Sequence, residues 1–384
     1  MHIDSVHTAL VDHLRLARTE GVGPVAWRRL LGRYGSPARA LEAIPTLAKL
    51  GGRSEAPRVP SIADAHRELE GLRALGGRLL VLGQPGYPAL LALLDDAPPV
   101  LSAVGDLSIL SERAVAVVGG RNASANGQRM AASLAEELAA AGLVIVSGLA
   151  RGIDAAAHTG ALRSGRTIAA VAGGLDQPYP PEHSELQRRV AEGGAVLSEA
   201  PLGTVPQARH FPRRNRLIAG LALGVLVIEA APRSGSLITA RLAQEAGREL
   251  FAVPGSPLDP RARGSNDLIR QGAHLTETAS DVLDNLPDHP SRVGIARAPL
   301  FARGTPDGFG EPGPVWEEPA EPQATLAAAR SQVIELLDAS PTAVDDLVRR
   351  CQFSPAAVMA VLLELELAGR IETLSGARVA LLAP

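Results

Sequence analysis

Six apolar segments alternate with alanine- and leucine-rich segments between residues 114 and 286, and this alternation limits the fold more than any other feature of the sequence. Nearly continuous apolar strands are typical of a parallel sheet covered on both faces. The spacing of the segments fits βαβ units. The pattern therefore predicts a doubly wound α/β fold. The predicted strands are residues 114–119, 143–148, 167–174, 195–199, 224–230 and 249–255.

Several predicted strands end in small residues, including Gly119-Gly120 and Ser147-Gly148. Ligands of doubly wound sheets bind at the carboxyl ends of the strands, where glycine turns let phosphate approach backbone N–H groups. The spacing here is not that of the G-x-G-x-x-G fingerprint, and Arg121 stands where a nucleotide-binding loop needs a small residue. No dinucleotide cofactor is therefore predicted.

A group of arginines lies in a window without acidic residues, between Glu199 and Glu229. The net charge of the chain is −3, so a surface that binds anions has to be local. We interpret the window as a phosphate-binding segment beside the end of the sheet. If the chain is extended there, Arg214 and Arg216 project to the same side. The arginines are Arg209, Arg213, Arg214 and Arg216.

Composition excludes several classes of protein. Lys49 is the only lysine, so the chain has no G-x-x-x-x-G-K-[ST] motif and is not a P-loop NTPase. Cys351 is the only cysteine, which excludes an internal disulfide and fits a reducing compartment. No metal-ligand cluster is evident. We see neither a signal peptide nor a transmembrane run, so we expect a cytoplasmic protein without membrane insertion.

The flanking regions differ in composition from the central one, and four regions are predicted. Gly21-Val22-Gly23 joins two predicted helices as in a helix-hairpin-helix, where it would meet a DNA phosphate; alternatively, the glycines only permit a tight corner. The C-terminal pattern is that of a winged helix, but its helix 355–369 carries Glu364 and Glu366. We expect that helix to contact protein rather than DNA. The predicted regions are 1–76, helical; 77–286, the sheet domain; 287–323, a Pro/Gly-rich linker; and 324–384, the winged helix.

Six segments of the chain resemble the DNA-processing protein A family, also called DprA or Smf, and together they cover most of residues 113–275. The resemblance implies an extended Rossmann-like fold that binds single-stranded DNA and forms a homodimer. It also implies that the protein protects incoming DNA and loads the recombinase RecA on it during natural transformation. The segments are RAVAVVGGRNAS (113–124), SGLARGID (147–154), AGGLDQPYP (172–180), FPRRNRLIAG (211–220), SGSLITAR (234–241) and FAVPG (251–255).

Carried over by position, the resemblance implies a basic pocket for phosphates with Phe211 placed to stack on a base. Lysines that some members use there are absent, and Arg166 or Arg213 are candidates to replace them, although the two residue types are not equivalent. The candidate DNA-binding residues are Gly119, Gly120, Arg121, Ser147, Gly148, Arg166, Phe211, Arg213, Arg214, Asn215, Arg216, Ser234, Gly235 and Ser236.

A catalytic function is the alternative. Asp154 and His158 are spaced i, i+4 on one predicted helix, and Glu229 follows a strand. A nucleotide-hydrolysing enzyme of the phosphoribohydrolase type, on a related fold, would also use glycine loops and a strand-end glutamate. The structural interpretation is an acid favoured by the helix N-terminus and a histidine with a local partner. We favour that interpretation and predict no catalytic residue.

Overall fold

The computed structural model describes residues 2–288, 323–374 and 376–382. These residues form two compact units. The sheet unit spans 67–288, and the helical unit combines the residues up to 66 with those from 323 onwards. The predicted linker, 287–323, lies almost entirely outside the described residues.

The sheet unit is built on one nine-stranded sheet, whose order is β1-β2-β6-β5-β4-β3-β7-β8-β9. The pairs from β6 through β3 to β9 are parallel, while β1 and β2 add an antiparallel edge. The strands are β1 (Arg78–Val81), β2 (Val100–Gly105), β3 (Ala114–Gly119), β4 (Val144–Ser147), β5 (Thr167–Val171), β6 (Gly194–Ser198), β7 (Gly224–Ile228), β8 (Glu249–Ala252) and β9 (His274–Leu275).

The prediction of a doubly wound α/β sheet is confirmed, and the six predicted strands are β3 to β8. Starting from β3, the chain adds β4, β5 and β6 on one side, and then β7, β8 and β9 on the other. The strand order therefore reverses between β3 and β7. Such a switch point leaves a crevice at the carboxyl ends of the two strands.

The helices of both units are α1 (His2–Ala17), α2 (Pro24–Tyr34), α3 (Pro37–Leu50), α4 (Ile62–Ala74), α5 (Ala89–Ala92), α6 (Ala125–Ala140), α7 (Ile153–Ser164), α8 (Ser184–Gly193), α9 (His210–Leu221), α10 (Gly235–Glu245), α11 (Arg263–Arg270), α12 (Ala279–Leu283), α13 (Gln323–Leu336), α14 (Val344–Arg350) and α15 (Pro355–Leu367). Within the sheet unit, helices such as α6 and α7 pack on one face of the sheet, and α9 and α10 pack on the other.

Alternate residues of each central strand enter different cores. In β3, Val115 and Val117 are fully buried in a cluster shared with α6 and α7. Ala116 and Val118 belong to a second cluster with α9 and α10. Because side chains alternate across a strand, both positions must be apolar when both faces are covered. This explains why the strands read as continuous apolar runs.

The helical unit contains α1 to α3, together with α13 to α15 and a small sheet of order β10-β12-β11. The predicted winged helix is confirmed in this sheet and in the helices α13 to α15. None of the helices within the described residues is long and apolar enough to cross a bilayer. The strands are β10 (Thr342–Ala343), β11 (Ile371–Leu374) and β12 (Arg378–Leu381).

Candidate functional site

A pocket of about 710 Å³ opens at the switch point of the sheet unit. Its walls are the loops that follow β3 and β7 and the first turns of α9 and α10. Most of the predicted site residues meet here. Those that line the pocket are Gly119, Gly120, Arg121, Phe211, Arg214, Asn215, Ser234, Gly235 and Ser236.

Aromatic and cationic groups lie together on one wall of the pocket. The guanidinium carbon of Arg121 is 4.9 Å from the centroid of the Phe211 ring, and that of Arg214 is 5.9 Å away. The ring of Tyr179 packs against the same phenylalanine at 5.5 Å between centroids. Arg121 is exposed, whereas Arg214 is buried, with 6 % exposure. An aromatic surface flanked by arginines suits a stacked base with a phosphate beside it.

The buried guanidinium of Arg214 is held by a buried carboxylate. Its Nη1 atom is 3.8 Å from Oδ2 of Asp154, which also accepts hydrogen bonds from the backbone N–H groups of Gly148 (3.2 Å) and Ala150 (3.4 Å). Burial lowers the pKa of Arg214, and Asp154 opposes that shift. Among the described residues, Nε and Nη1 of Arg214 have no hydrogen-bond partner. Arg214 thus both pairs with Asp154 and lines the pocket.

Gly148 makes the space that Arg214 fills. A Cβ atom built on Gly148 would lie 1.1 Å from Nη1 of Arg214 and 2.8 Å from Oδ2 of Asp154. Any side chain at position 148 would therefore displace the guanidinium.

We expect Gly148→Ala to weaken binding at the pocket about as much as Arg214→Ala does, because the first change displaces the guanidinium that the second removes. The double variant should be little weaker than either single variant, since coupled residues are not additive. Titration of a labelled oligonucleotide with the three variants tests this expectation. Losses that simply add would show that Gly148 and Arg214 act independently.

The first turn of α10 completes the opposite wall. Ser234 is its N-cap, and the Ser234 side chain accepts a hydrogen bond from the backbone N–H of Ser236. The first turn of this helix contains no acidic residue. The N-terminus of a helix is electropositive and favours an anion.

Comparisons with known proteins identify the family of this chain. The family model described as DNA recombination-mediator protein A matches residues 78–287. A DprA-like N-terminal HHH domain matches residues 8–71, and a DprA winged helix domain matches residues 317–377. The chain belongs to the DNA recombination-mediator protein A family.

Individual members of the family resemble the chain over much of its length. The protein Smf of Synechocystis is 33% identical over 391 residues, which cover 95% of this chain and 97% of the relative. The DNA processing protein DprA of Bacillus subtilis is 43% identical over 234 residues, or 60% of this chain and 77% of the relative. The X-ray structure of DprA from Streptococcus pneumoniae matches with a TM-score of 0.57 and 39% identity, covering 66% of this chain and 83% of that one.

Arg216 does not line the pocket, and the premise that placed it there is wrong. The chain is not extended at this point, because α9 already begins at His210. Residues two apart on a helix point about 200° apart, so Arg214 and Arg216 lie on opposite sides of α9. Nη2 of Arg216 is 2.6 Å from each carboxylate oxygen of Glu199, and Nη1 donates to the backbone carbonyl of Asp96. Arg216 therefore joins α9 to neighbouring segments of the sheet unit.

Four other candidates are also absent from the pocket lining. Arg166 precedes β5, at the amino end of the strand, and pairs with Glu112. Ser147 is fully buried, and its hydroxyl donates to the carbonyl of Val117. Arg213 is exposed on α9, and Gly148 acts through the space that it leaves for Arg214.

Glu229 lies in the pocket wall, but its carboxylate holds the start of a helix. Both oxygens accept hydrogen bonds from Ser124, one from the backbone N–H at 2.7 Å and one from the hydroxyl. Ser124 is the N-cap of α6. A carboxylate at a helix N-terminus interacts favourably with the helix dipole and so stabilises the helix. This geometry gives Glu229 a structural role.

His158 and Asp154 have separate partners. Nδ1 of His158 is 2.7 Å from the hydroxyl of Thr167, which in turn donates to the carbonyl of Ile145. The hydroxyl proton is thus committed, so His158 donates through Nδ1 and carries its lone pair on Nε2. Burial, followed by the charges of Arg214 and His183, lowers the pKa of His158 to about 3. The histidine is therefore neutral near pH 7, in agreement with the structural interpretation.

The buried neutral His158 makes stability fall in acid. An unfolded chain binds a proton at this residue below pH 6.5, whereas the folded chain does not until about pH 3. The free energy of unfolding should therefore decrease by about 1.4 kcal/mol per pH unit within that window. Between pH 7 and pH 5, urea denaturation should show the wild type losing about 2 kcal/mol more than His158→Gln. Equal losses in the two proteins would contradict a neutral buried histidine.

Tyr179 is one of the pocket residues that were not predicted from the sequence, and Arg261 is another. The side chain of Tyr179 is 46 % exposed and packs on Phe211, from a position 32 residues earlier in the chain. The only signal was its place in the segment AGGLDQPYP. Asp154 was predicted to be an acid favoured by the helix N-terminus, and its pairing with Arg214 was not predicted.

Proposed function

We propose that this chain binds single-stranded DNA through the pocket at the switch point and acts in DNA processing during natural transformation. The observation that carries the proposal is the wall of the pocket on which the guanidinium groups of Arg121 and Arg214 flank the ring of Phe211. Two arginine side chains on one wall attract a negative charge, and they donate charge-assisted hydrogen bonds to phosphate oxygens. A phosphodiester supplies that charge, and the base attached to it supplies a flat surface for the aromatic wall.

The pocket favours a single strand over a duplex. Phe211 and Tyr179 can stack only on a base whose face is free, and in a duplex the neighbouring base pairs cover that face. Phosphate contacts carry no sequence information. A strand held mainly by its backbone keeps most bases accessible for pairing.

We propose further that the protein protects incoming strands and loads the recombinase RecA on them in the cytoplasm. Accessible bases are what a recombinase needs for a homology search, and this is the support for the proposal. We also propose a homodimer. In the part of the sheet that the structure describes, β9 is an edge strand with Leu275 49 % exposed, and such an edge suits pairing with a second copy.

We infer that the pocket binds without catalysing a reaction. Glu229, the residue that a phosphoribohydrolase-type mechanism would need, is hydrogen-bonded to Ser124 at the start of α6. His158 is buried with a pKa of about 3, too low for a general base near neutral pH.

Filter binding with the purified full chain tests the proposed function. A 30-nucleotide single strand should be retained at a protein concentration at least tenfold lower than the matching duplex requires. Single strands of different base sequence should be retained at similar protein concentrations. Nucleoside monophosphates should not be hydrolysed. Equal retention of both DNA forms, or hydrolysis that Glu229→Gln abolishes, would contradict the proposal.

A further inference from the structure

The hairpin between α1 and α2 has the geometry of a phosphate site. Gly23 is the N-cap of α2, with no side-chain cap, and the first turn of the helix contains no acidic residue. The first helical hydrogen bond is donated by Trp27 to Gly23. The N–H groups of Val25 and Ala26 therefore precede the intrahelical bonds and lie at the positive end of the helix dipole.

A carboxylate of the winged helix already lies at this helix end. Oε1 of Glu366 is 3.4 Å from the position that a Cβ atom on Gly23 would occupy. Glu366 is only 8 % exposed, and its Oε2 has no hydrogen-bond partner among the described residues. The same holds for Nη1 of Arg29, one turn further along α2. Burial raises the pKa of Glu366 and lowers that of Arg29, while each charge partly offsets the shift of the other.

The contact extends from the hairpin to α3. A Cβ atom on Gly51 would lie 2.0 Å from the carbonyl oxygen of Glu364 and 2.8 Å from Cβ of Ala368. Leu363 and Leu367 are buried, with 2 % and 0 % exposure, although they are outside the hydrophobic cluster of the winged helix. Every residue of α15 from Val361 to Leu367 is buried, because protein surrounds this part of the helix.

Two elements that could face DNA therefore cover each other. The corresponding helix of many winged helices enters the major groove, but α15 is buried here. Its acidic end lies where a phosphate would meet the hairpin. We propose that α15 occupies the DNA-binding surface of the N-terminal hairpin, and that the hairpin binds the phosphates of duplex DNA when the winged helix moves away. This site is separate from the pocket of the sheet unit.

Gly51→Ala is a variant that separates the two elements. The backbone at Gly51 is right-handed, with φ −69°, so alanine fits the local conformation and only the contact with α15 is obstructed. Gly32→Ala is the matched control, because Gly32 lies in α2 with no atom within 4 Å of its added Cβ. Both changes are made in the full chain carrying Arg121→Ala, so that the pocket contributes little. Hydrogen exchange of residues 355–367 reports whether the contact has opened.

The probe is a 20-base-pair duplex. Gly51→Ala should bind it at least tenfold more tightly than Gly32→Ala, with a salt slope steeper by about 0.9 for each phosphate engaged. Arg29→Ala added to Gly51→Ala should remove most of the gain. Glu366→Gln, which removes the competing charge without a steric change, should give a smaller gain in the same direction.

Two results would overturn the proposal. In the first, exchange shows α15 released in Gly51→Ala while the affinity for the duplex equals that of the control. In the second, exchange shows that α15 stays packed on α3 in Gly51→Ala, although the added Cβ should obstruct that contact. If Gly51→Ala fails to fold, Glu366→Gln decides, and an unchanged duplex affinity in that variant would reject the competition between Glu366 and phosphate.

Discussion

Arg216→Ala will lower the free energy of unfolding by about 3 kcal/mol, because it removes one partner of the ion pair between Arg216 and Glu199. The side chain of Arg216 is 9% exposed and that of Glu199 is 27% exposed, so water compensates only part of the loss. The carbonyl of Asp96 also loses a donor. Removing one partner of a mostly buried ion pair costs far more than removing an exposed one.

Urea denaturation, followed through the unfolding transition of the sheet unit, measures this loss of stability. Arg213→Ala is the matched control. Arg213 is exposed on the same helix and carries the same charge. The control should change the stability by less than about 0.5 kcal/mol. DNA affinity of Arg216→Ala, measured where the protein is still folded, should keep the wild-type salt dependence. If Arg216→Ala were as stable as the wild type and its DNA affinity depended less steeply on salt, Arg216 would instead be a DNA-binding residue.

The alternation of apolar strands with helices was sufficient to predict the sheet, because covering both faces imposes the same apolar requirement on every residue of a central strand. The position of the pocket could also be predicted, because the strands that end in glycine have their carboxyl ends at the same edge of the sheet. The lining by Arg121, Phe211 and the Ser234–Ser236 turn follows from that convergence.

The positions of individual arginines could not be predicted as well. The start of α9 at His210 decides which way Arg214 and Arg216 point, and nothing in the local sequence marks that start clearly. The partner of Arg216, Glu199, is 17 residues away, and the partner of Arg214, Asp154, is 60 residues away. Such contacts depend on tertiary packing.

The winged helix illustrates the same limit. The glutamates of α15 indicated that this helix does not face DNA, and the structure gives it a protein contact within the chain. Composition could not show that α2 and α3 supply that contact. Gly51 is the clearest sign of this contact, since only a glycine leaves room for the backbone of α15.

Arg121→Ala combined with Arg214→Ala should give the largest loss of single-strand affinity. Each arginine offers charge-assisted hydrogen bonds to a phosphate, worth about 2 kcal/mol apiece, so the double variant should bind roughly a thousandfold more weakly. Phe211→Ala should cost about 1–3 kcal/mol through lost stacking. It should leave the salt dependence nearly unchanged, because stacking releases no counterions.

The salt dependence of single-strand binding tests the central claim most directly. The logarithm of the affinity is plotted against the logarithm of the salt concentration for the wild type, Arg121→Ala/Arg214→Ala and the charge-matched control Arg166→Ala/Arg213→Ala. Each phosphate contact on a single strand contributes about 0.7 to the slope. The pocket variant should therefore be flatter by about 1.4 for each occupied site, and the control should match the wild type. A folded pocket variant with the wild-type slope would show that the DNA phosphates bind elsewhere on this protein.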